Sequence, residues 1–561
     1  MASSTTFINI DVITGINLIG MSVTGTIEGD NIEFVYQYTN DQYETISMIN
    51  NKYSLIKDKG YWVKTSSANA LTFSYGGDMP TTSSVSLQQG WNFIGNSYVN
   101  GIIQNMNMIG SIVKYVYNTE THKFELHPLS NTLIVNKGYI LYSTEPTEIT
   151  LVDPLSVLWT NTLGSANNDR GYGVATDSNN NVYITGYTRG ELDGNKHVDL
   201  GIFLAKYDSS GVKQWTKTVV TEFSQTANGI AIDSDNYVYV TGHEIVSWSS
   251  NVDTILIKFD SDGTIIWTRK MRTIADERIF SVNVAIDSIN NIYITGYTNK
   301  TLDGNTHLGA NDIFVIKYNS SGNVQWTDTL GSVNNDVGNA VAIDSNDNIY
   351  ITGYTTGELD GITQDGFLTK YNSSGVKQWT KTLGTSVSYD EDAPWNSGSD
   401  ISNAVAIDSN DNIYITGYTR GELDGNTLIG EGDIFLVKYD SSGSKQWTST
   451  WGSAKFEQGF GVAIDSNDNI YITGSAYGGD IDGIPNISTT VDGFLTKYDT
   501  SGNRKWTQFL AYSTSAAFTN GISIDANNNV YIIGAWYEPA ILTENISQGG
   551  IDIILRKYGL P

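Results

Sequence analysis

Cysteine is absent from the 561 residues, so neither a disulfide nor a thiolate metal site can form, and nothing marks a redox compartment. Positive charge is scarce: 32 Lys and Arg stand against 60 Asp and Glu, a net charge of -28. That field repels a phosphate backbone, so nucleic acid and anionic membranes are not expected as partners. No apolar run approaches the roughly 18 residues of a membrane span, and membrane insertion is not expected. The opening MASSTTFINIDVITGINLIG lacks a basic start and carries Asp11, so no secretory signal peptide is expected at this end. Histidine is limited to His122, His127, His197, His243 and His307, which are scattered, and no HExxH, GxSxG or P-loop pattern occurs. No stretch keeps a helical period.

The residues present tell of strands and turns. Hydrophobic residues make up 39% and aromatics 11%, enough to fill cores, while the 34 Tyr, 56 Gly and many Asn, Thr, Ser and Ile suit strands joined by tight turns. The segment AIDSNDNIYITG is spelled identically at 342–353, 406–417 and 463–474. Looser copies stand at 175–186, 231–242, 285–296 and 523–534, giving seven in all. Each places an Asp six residues before a Tyr: Asp177/Tyr183, Asp233/Tyr239, Asp287/Tyr293, Asp344/Tyr350, Asp408/Tyr414, Asp465/Tyr471 and Asp525/Tyr531.

After each copy comes a segment like DIFLVKYDSSGSKQWT (433–448), which supplies Lys206, Lys258, Lys317, Lys370, Lys438, Lys497 and Lys557 in turn. Nine residues after the first six of these stands a Trp: Trp215, Trp267, Trp326, Trp379, Trp447 and Trp506. Each unit reads as four short antiparallel strands separated by Asp-, Asn-, Ser- and Gly-rich turns. Four strands repeated seven times, at a period of roughly 50–70 residues, predict an all-β seven-bladed propeller over 156–561. The seventh unit stops at KYGLP without a Trp, and an unpaired VLWTNTLG (157–164) precedes the first. The Trp159 strand is therefore expected to complete blade seven and close the ring, which removes exposed sheet edges.

The pattern AIDSxxNIYITGYT…LDGNT…DIFLVKYDSSGxxQWTxTLG is similar to the SBBP family of propeller repeats, over about 160–561. That resemblance implies the fold and a surface or extracellular setting, and it implies no catalytic residues. The D-S-S-G-x-x-x-W turn resembles the Asp-box of sialidases, but its Asp-to-Gly spacing is one residue too long and no sialidase is expected.

The region before the propeller differs. GINLIG (15–20) recurs as GWNFIG (90–95), FVYQYTNDQYETI (34–46) answers VKYVYNTETHKFEL (113–126), and KGYWV (59–63) answers KGYIL (137–141). Two tandem small β modules, 1–80 and 81–153, are expected, with a boundary at DPLS (153–156). The GWNxIG…KGYW pattern resembles small modules found beside surface-protein domains.

Long and unequal connections fall at 243–252, 297–311, 383–401, 418–432, 475–491 and 535–551, and strand alternation predicts that all lie on one face of the disc. The most divergent, GTSVSYDEDAPWNSGSD (384–400), sets Tyr389 and Trp395 beside Asp390, Glu391 and Asp392. Aromatic rings stack on sugars and carboxylates take hydroxyls or calcium, so these are candidate ligand-binding residues, with Trp248 and Trp536 in other long loops. The competing reading is a solvated acidic loop. The LDG motifs place Asp193, Asp303, Asp360, Asp424 and Asp482 as candidate calcium ligands; the competing reading is a plain Asp-Gly turn. No other cofactor is expected.

Three functional classes remain open. The first is a non-enzymatic surface or extracellular protein presenting a propeller face for adhesion, with a glycan or protein as partner. The second is a structural subunit of an external layer, filament or virion, partnered by its own copies; an AT-rich-looking usage, with Ile, Asn, Tyr and Lys favoured over Ala, Pro and Arg, fits a large DNA virus or a low-GC bacterium. The third is a secreted polysaccharide hydrolase or lyase, for which no motif appears. The expected location is the cell exterior, a cell surface or a virion surface.

Overall fold

The computed structural model describes 156–559 apart from 196–199, 220, 222, 247–250, 272–277, 361, 364, 385–399, 479–490, 511–516 and 538–550; before residue 156 it describes the strand backbones alone. The chain divides into two units, 1–156 with 560–561, and 157–559.

In the first unit, Thr5–Val12, Asn69–Gly76, Gly25–Glu28 and Tyr53–Leu55 lie side by side in one four-stranded sheet. Gly15–Gly20, Gly60–Thr65, Ile32–Thr39 and Gln42–Ile46 form a second. The later strands repeat both orders: Thr82–Leu87, Thr147–Val152, Gly101–Ile103 and Thr132–Leu133 in one sheet, and Gly90–Asn96, Lys137–Ser143, Lys114–Asn118 and Lys123–His127 in the other.

The second unit is an all-β seven-bladed propeller. Its described residues form seven four-stranded antiparallel sheets, six of them with strands in chain order from first to fourth. In blade four, for example, Asp336–Ile343, Ile349–Thr355, Gly366–Tyr371 and Lys377–Thr382 follow one another across the sheet. Blade seven is built from both ends of the unit: Ala517–Ile524, Val530–Tyr537, Ile551–Gly559, and then Ser156–Leu163 as its outer strand.

The repeated Asp, Tyr, Lys and Trp explain one another. In the first hairpin of blade four, Asp344 Oδ1 accepts the amides of Asn346 and Asn348 at 2.9 and 2.8 Å. Its Oδ2 accepts the Asn348 side-chain amide at 2.8 Å and the Tyr350 hydroxyl at 3.1 Å. The carboxylate thus closes the turn as a second hairpin end would, using backbone donors the turn leaves over. The same Tyr-to-Asp bond stands in every blade, from 2.8 Å at Tyr239 and Tyr531 to 3.2 Å at Tyr183. Lys370 Nζ hangs over the Tyr350 ring at 4.9 Å and 3.8 Å from Asp344, and Trp379 meets that ring edge-on at 6.0 Å.

Neighbouring blades lock through the same turns. Asp411 sits at a left-handed φ of 60°, which Asp and Asn tolerate, and its carboxylate accepts the amide and hydroxyl of Ser345 on the preceding blade at 2.9 and 2.8 Å. Equivalent bonds run from Ser178 to Asn236, Ser234 to Asn290, Ser288 to Asp347, Ser409 to Asp468, and Ser466 to Asn528. The Ala526 amide on Asn180 completes the circle at 3.2 Å.

A second lock joins the third-to-fourth turns. Lys370 Nζ donates to the Ser441 carbonyl of the next blade at 3.0 Å. Gly443 in that turn, at φ +81°, lies against the Trp379 ring, where a Cβ would stand 2.8 Å from the indole. The closing seam uses the same parts. Lys557 Nζ and Trp159 Nε1 both donate to the Ser209 carbonyl, at 2.8 and 3.3 Å, and Trp159 stands 5.9 Å from Tyr531. Blade seven therefore owns the fourth-strand Trp of this lock only through the strand that enters from the front of the unit, as expected from the repeat count.

Between the sheets, Tyr350, Leu368, Ile413, Ile415, Phe435, Val437 and Tyr439 make one buried cluster spanning blades four and five. Similar clusters fill the neighbouring seams. Asp344→Ala would leave two amides and the buried Tyr350 hydroxyl without an acceptor. A loss of roughly 2–4 kcal/mol is expected, against about 1 kcal/mol for Tyr350→Phe, read from urea unfolding midpoints.

Candidate functional site

Strand direction assigns each residue to a face. The first-to-second and third-to-fourth turns, with their Asp locks, occupy one face; the second-to-third and blade-to-blade connections occupy the other. The second strand ends at Thr188, Ile245, Thr298, Thr355, Thr419, Ala476 and Tyr537, and from there the chain enters the unequal loops.

The predicted site residues have mixed fates on this face. Tyr389, Asp390, Glu391, Asp392 and Trp395 lie outside the described residues, as do Trp248 and Asp482. Trp536 is corrected: it is no loop residue but the penultimate position of Val530–Tyr537, where the backbone pairs with Ala517 and Asp552. The strand runs on because residues 551–559 extend alongside it and supply its hydrogen-bonding partner.

The LDG motifs form one repeated device. Leu192 is fully buried, Asp193 and Gly194 take φ of 50° and 76°, and the Asn195 side chain donates to the carbonyls of Leu192 and Thr216. Asp193 accepts Lys213 Nζ at 2.6 Å and the Thr216 hydroxyl at 2.6 Å. Burial opposes ionisation of Asp193, but those two donors hold its carboxyl below the ordinary range. Asp360 engages Lys377 and Thr380, Asp424 engages Lys445 and Thr448, and Asp303 engages Thr327. The geometry is a turn buttoned onto the fourth strand of its own blade, with the carboxylate serving a Lys and a Thr at Asp193, Asp360 and Asp424 and a Thr at Asp303. Among the described residues no three His, Asp or Glu side chains gather as a metal cluster.

Two features of this face were not singled out from the sequence. The first is a band of aromatics at the loop-side ends of the two inner strands. Tyr297, Tyr354 and Tyr418, from the repeated ITGYT, are half-buried. Burial raises the pKa of all three, and Tyr354 raises the other two further. Phe280 stacks on Tyr297 at 4.9 Å and receives the edge of His243 at 5.0 Å. Phe456 meets Tyr418 at 5.0 Å and Tyr477 at 5.7 Å, with the Arg420 guanidinium 5.0 Å from the Phe456 ring. Tyr477 is 39% exposed. The Tyr that follows ITG in four copies was the available signal, masked by its resemblance to ordinary strand filling.

The second is a set of acids at strand starts. Asp365 immediately precedes the third strand of blade four and is buried; burial, then the charge of Asp400 on the next blade, pushes its carboxyl up to about 7. A folded pKa above the unfolded value means that the folded state holds a proton between about pH 4 and 7 that the unfolded chain has released. Stability from this group is present below pH 4 and lost as the pH rises to about 7. Asp365→Asn should therefore be more stable than the parent at pH 8 and show a flatter stability profile between pH 4 and 7, measured by urea unfolding at each pH.

Comparison with known proteins agrees with this geometry. The SBBP family, a beta-propeller repeat, matches at residues 158–193, 325–360 and 378–424. The propeller belongs to the SBBP repeat family. An uncharacterized WD repeat-containing protein of Acanthamoeba polyphaga mimivirus is 26% identical over 546 residues, covering 74% of this chain and 39% of that protein. The regulatory protein FlaEY of Caulobacter vibrioides is 28% identical over 232 residues, covering 38% of this chain and 22% of that protein. The chain thus spans well under half the length of either relative. Among solved structures, a polysaccharide lyase, ulvan lyase, overlays with a TM-score of 0.39 at 12% identity, covering 70% of this SBBP chain and 95% of the lyase. A gluconolactonase from Xanthomonas campestris overlays at 0.30 and 9%, covering 60% and 90%. Neither overlay carries chemistry across.

Proposed function

We propose that this SBBP propeller is a non-enzymatic binding protein at an extracellular, cell or virion surface, presenting its loop-bearing face to a glycan. The observation that carries the reading is the aromatic band of Tyr297, Tyr354, Tyr418, Phe456 and Tyr477, with Arg420 among them, on the face that also bears every long connection. Faces of such rings stack on pyranose C–H surfaces, while phenol hydroxyls and a guanidinium take sugar hydroxyls or acidic groups. A cation in this band also offsets, locally, the repulsion that a net charge of -28 exerts on acidic glycans. The repeated sheet orders of the first unit support its being a tandem duplicate of one small β module, 1–80 and 81–153, preceding the propeller in the chain.

Binding of the full chain to a broad glycan panel, with released sugar assayed in the same wells, tests the reading. Retention of a glycan class without product is expected, with at least about tenfold weaker binding by Tyr477→Ala and Arg420→Ala, as hot-spot aromatics and arginines show. Released sugar would overturn the non-enzymatic reading, and an unaltered affinity in both variants would remove the aromatic band from it.

A second reading, a structural subunit of an external layer, filament or virion, draws support from the relative in a large DNA virus. It predicts concentration-dependent assembly of the purified chain into regular particles or filaments, scored by light scattering and electron microscopy; a monomer at every concentration would exclude it.

A further inference from the structure

We propose that the seam between blades five and six binds a divalent hard cation of the calcium class through Asp433 and Glu457, and that Asp312 and Asp336 form the equivalent site between blades three and four. Asp433 opens the third strand of blade five (Asp433–Tyr439), and Glu457 opens the first strand of blade six (Glu457–Ile464). Both are fully buried. One oxygen of Asp433 accepts the Ile429 amide at 2.9 Å; the other, Oδ1, is buried with no protein donor. Glu457 accepts the Ser453 amide on Oε2 at 2.8 Å and the Ser453 hydroxyl on Oε1.

The unpartnered oxygen is turned toward Gly452, and Glu457 reaches the same point. Asp433 Oδ1 and Glu457 Oε2 lie 2.5 and 2.7 Å from the point where a Gly452 Cβ would stand, so at most about 5.2 Å separates them. Two calcium–oxygen bonds of about 2.3–2.6 Å span up to that distance. Gly452 is the one residue type that leaves this space to the carboxylates. A buried carboxylate pair without a compensating charge is costly, and a bound cation removes that cost.

The seam between blades three and four repeats the arrangement. Asp312 Oδ2 accepts the Leu308 amide at 2.9 Å and stands 3.0 Å from His307 Nδ1, while its Oδ1 is buried without a donor and rests against Gly331. Asp336 Oδ2 accepts the Ser332 amide and hydroxyl at 2.6 and 2.8 Å; its Oδ1 is likewise buried and unpartnered by hydrogen-bond geometry, with the Thr355 hydroxyl nearby. Asp312 and Asp336 are 1% and 0% exposed, which keeps them from a polysaccharide and separates them from a glycosidase pair. Each site has two acidic side chains, so carbonyl, hydroxyl and water oxygens complete the coordination, and the dissociation constant belongs near 10⁻⁴–10⁻³ M, roughly the weak end of calcium modules.

The test uses the full chain after EDTA treatment. Terbium, a luminescent calcium substitute, is expected to light up through the buried Trp451, the neighbour of Gly452, and to be displaced by millimolar Ca²⁺. The unfolding temperature should rise by about 1–3 °C in millimolar Ca²⁺ relative to EDTA, and less in Mg²⁺. The pair Asp433→Asn with Glu457→Gln should lose the Trp451-sensitised part of the terbium signal, while Asp424→Asn, in an LDG turn, keeps it. Absent luminescence and an unmoved unfolding temperature in the parent chain would overturn the proposal without any variant. So would a signal that survives substitution of all four seam acids, or a chain that gains stability from protons alone.

Discussion

A buried aspartate at the head of each blade's first hairpin is the constraint on which the ring depends. Its carboxylate closes the turn, accepts the tyrosine hydroxyl that anchors the second strand, and sits beneath the lysine of the third. A charge at such depth is tolerable only when several donors converge on it. Once they do, four positions far apart in the repeat are committed together, and the tryptophan of the fourth strand completes the packing. The lysine then reaches past its own blade to a carbonyl of the next, so the device that stabilises one sheet also sets its neighbour's position.

That economy divides the two faces of the disc. On the turn face every residue of DSNDN serves a lock, either within the blade or to the next, and its spelling has little room to vary. The loop face has no such duty. There the repeat loosens into connections of unequal length, and the aromatic band and seam acids sit at its edge. Function placed on this face leaves the locks untouched, which is the physical sense in which a propeller is a scaffold.

Aspartate takes three distinct parts in this molecule, and the donors around it decide which. In the hairpin it meets backbone amides and a phenol. In the LDG turn, at Asp193, it meets a lysine and a threonine at the surface, where the pair contributes little to stability. At the seam, Asp433 faces another acid across a glycine, and one of its oxygens is left over. The LDG carboxylates at Asp193, Asp360 and Asp424 are engaged by protein donors, whereas the seam acids, which no motif announced, keep an oxygen without one.

Period and alternation alone determined the seven blades, the strand count in each, and the closing role of Trp159, because these follow from local turn chemistry repeated in phase and from counting partners. Periodicity also marked which connections vary. It did not show that Trp536 lies within a strand, since the pairing that extends it comes from residues 551–559, beyond a long connection. Nor did it bring Glu457 to Asp433 or Tyr354 to Tyr418. Those meetings join residues on different sheets, and only the angle at which one blade packs on the next decides them. A single chain's pattern records what each strand needs from its own blade; what two blades require of each other is written in three dimensions alone.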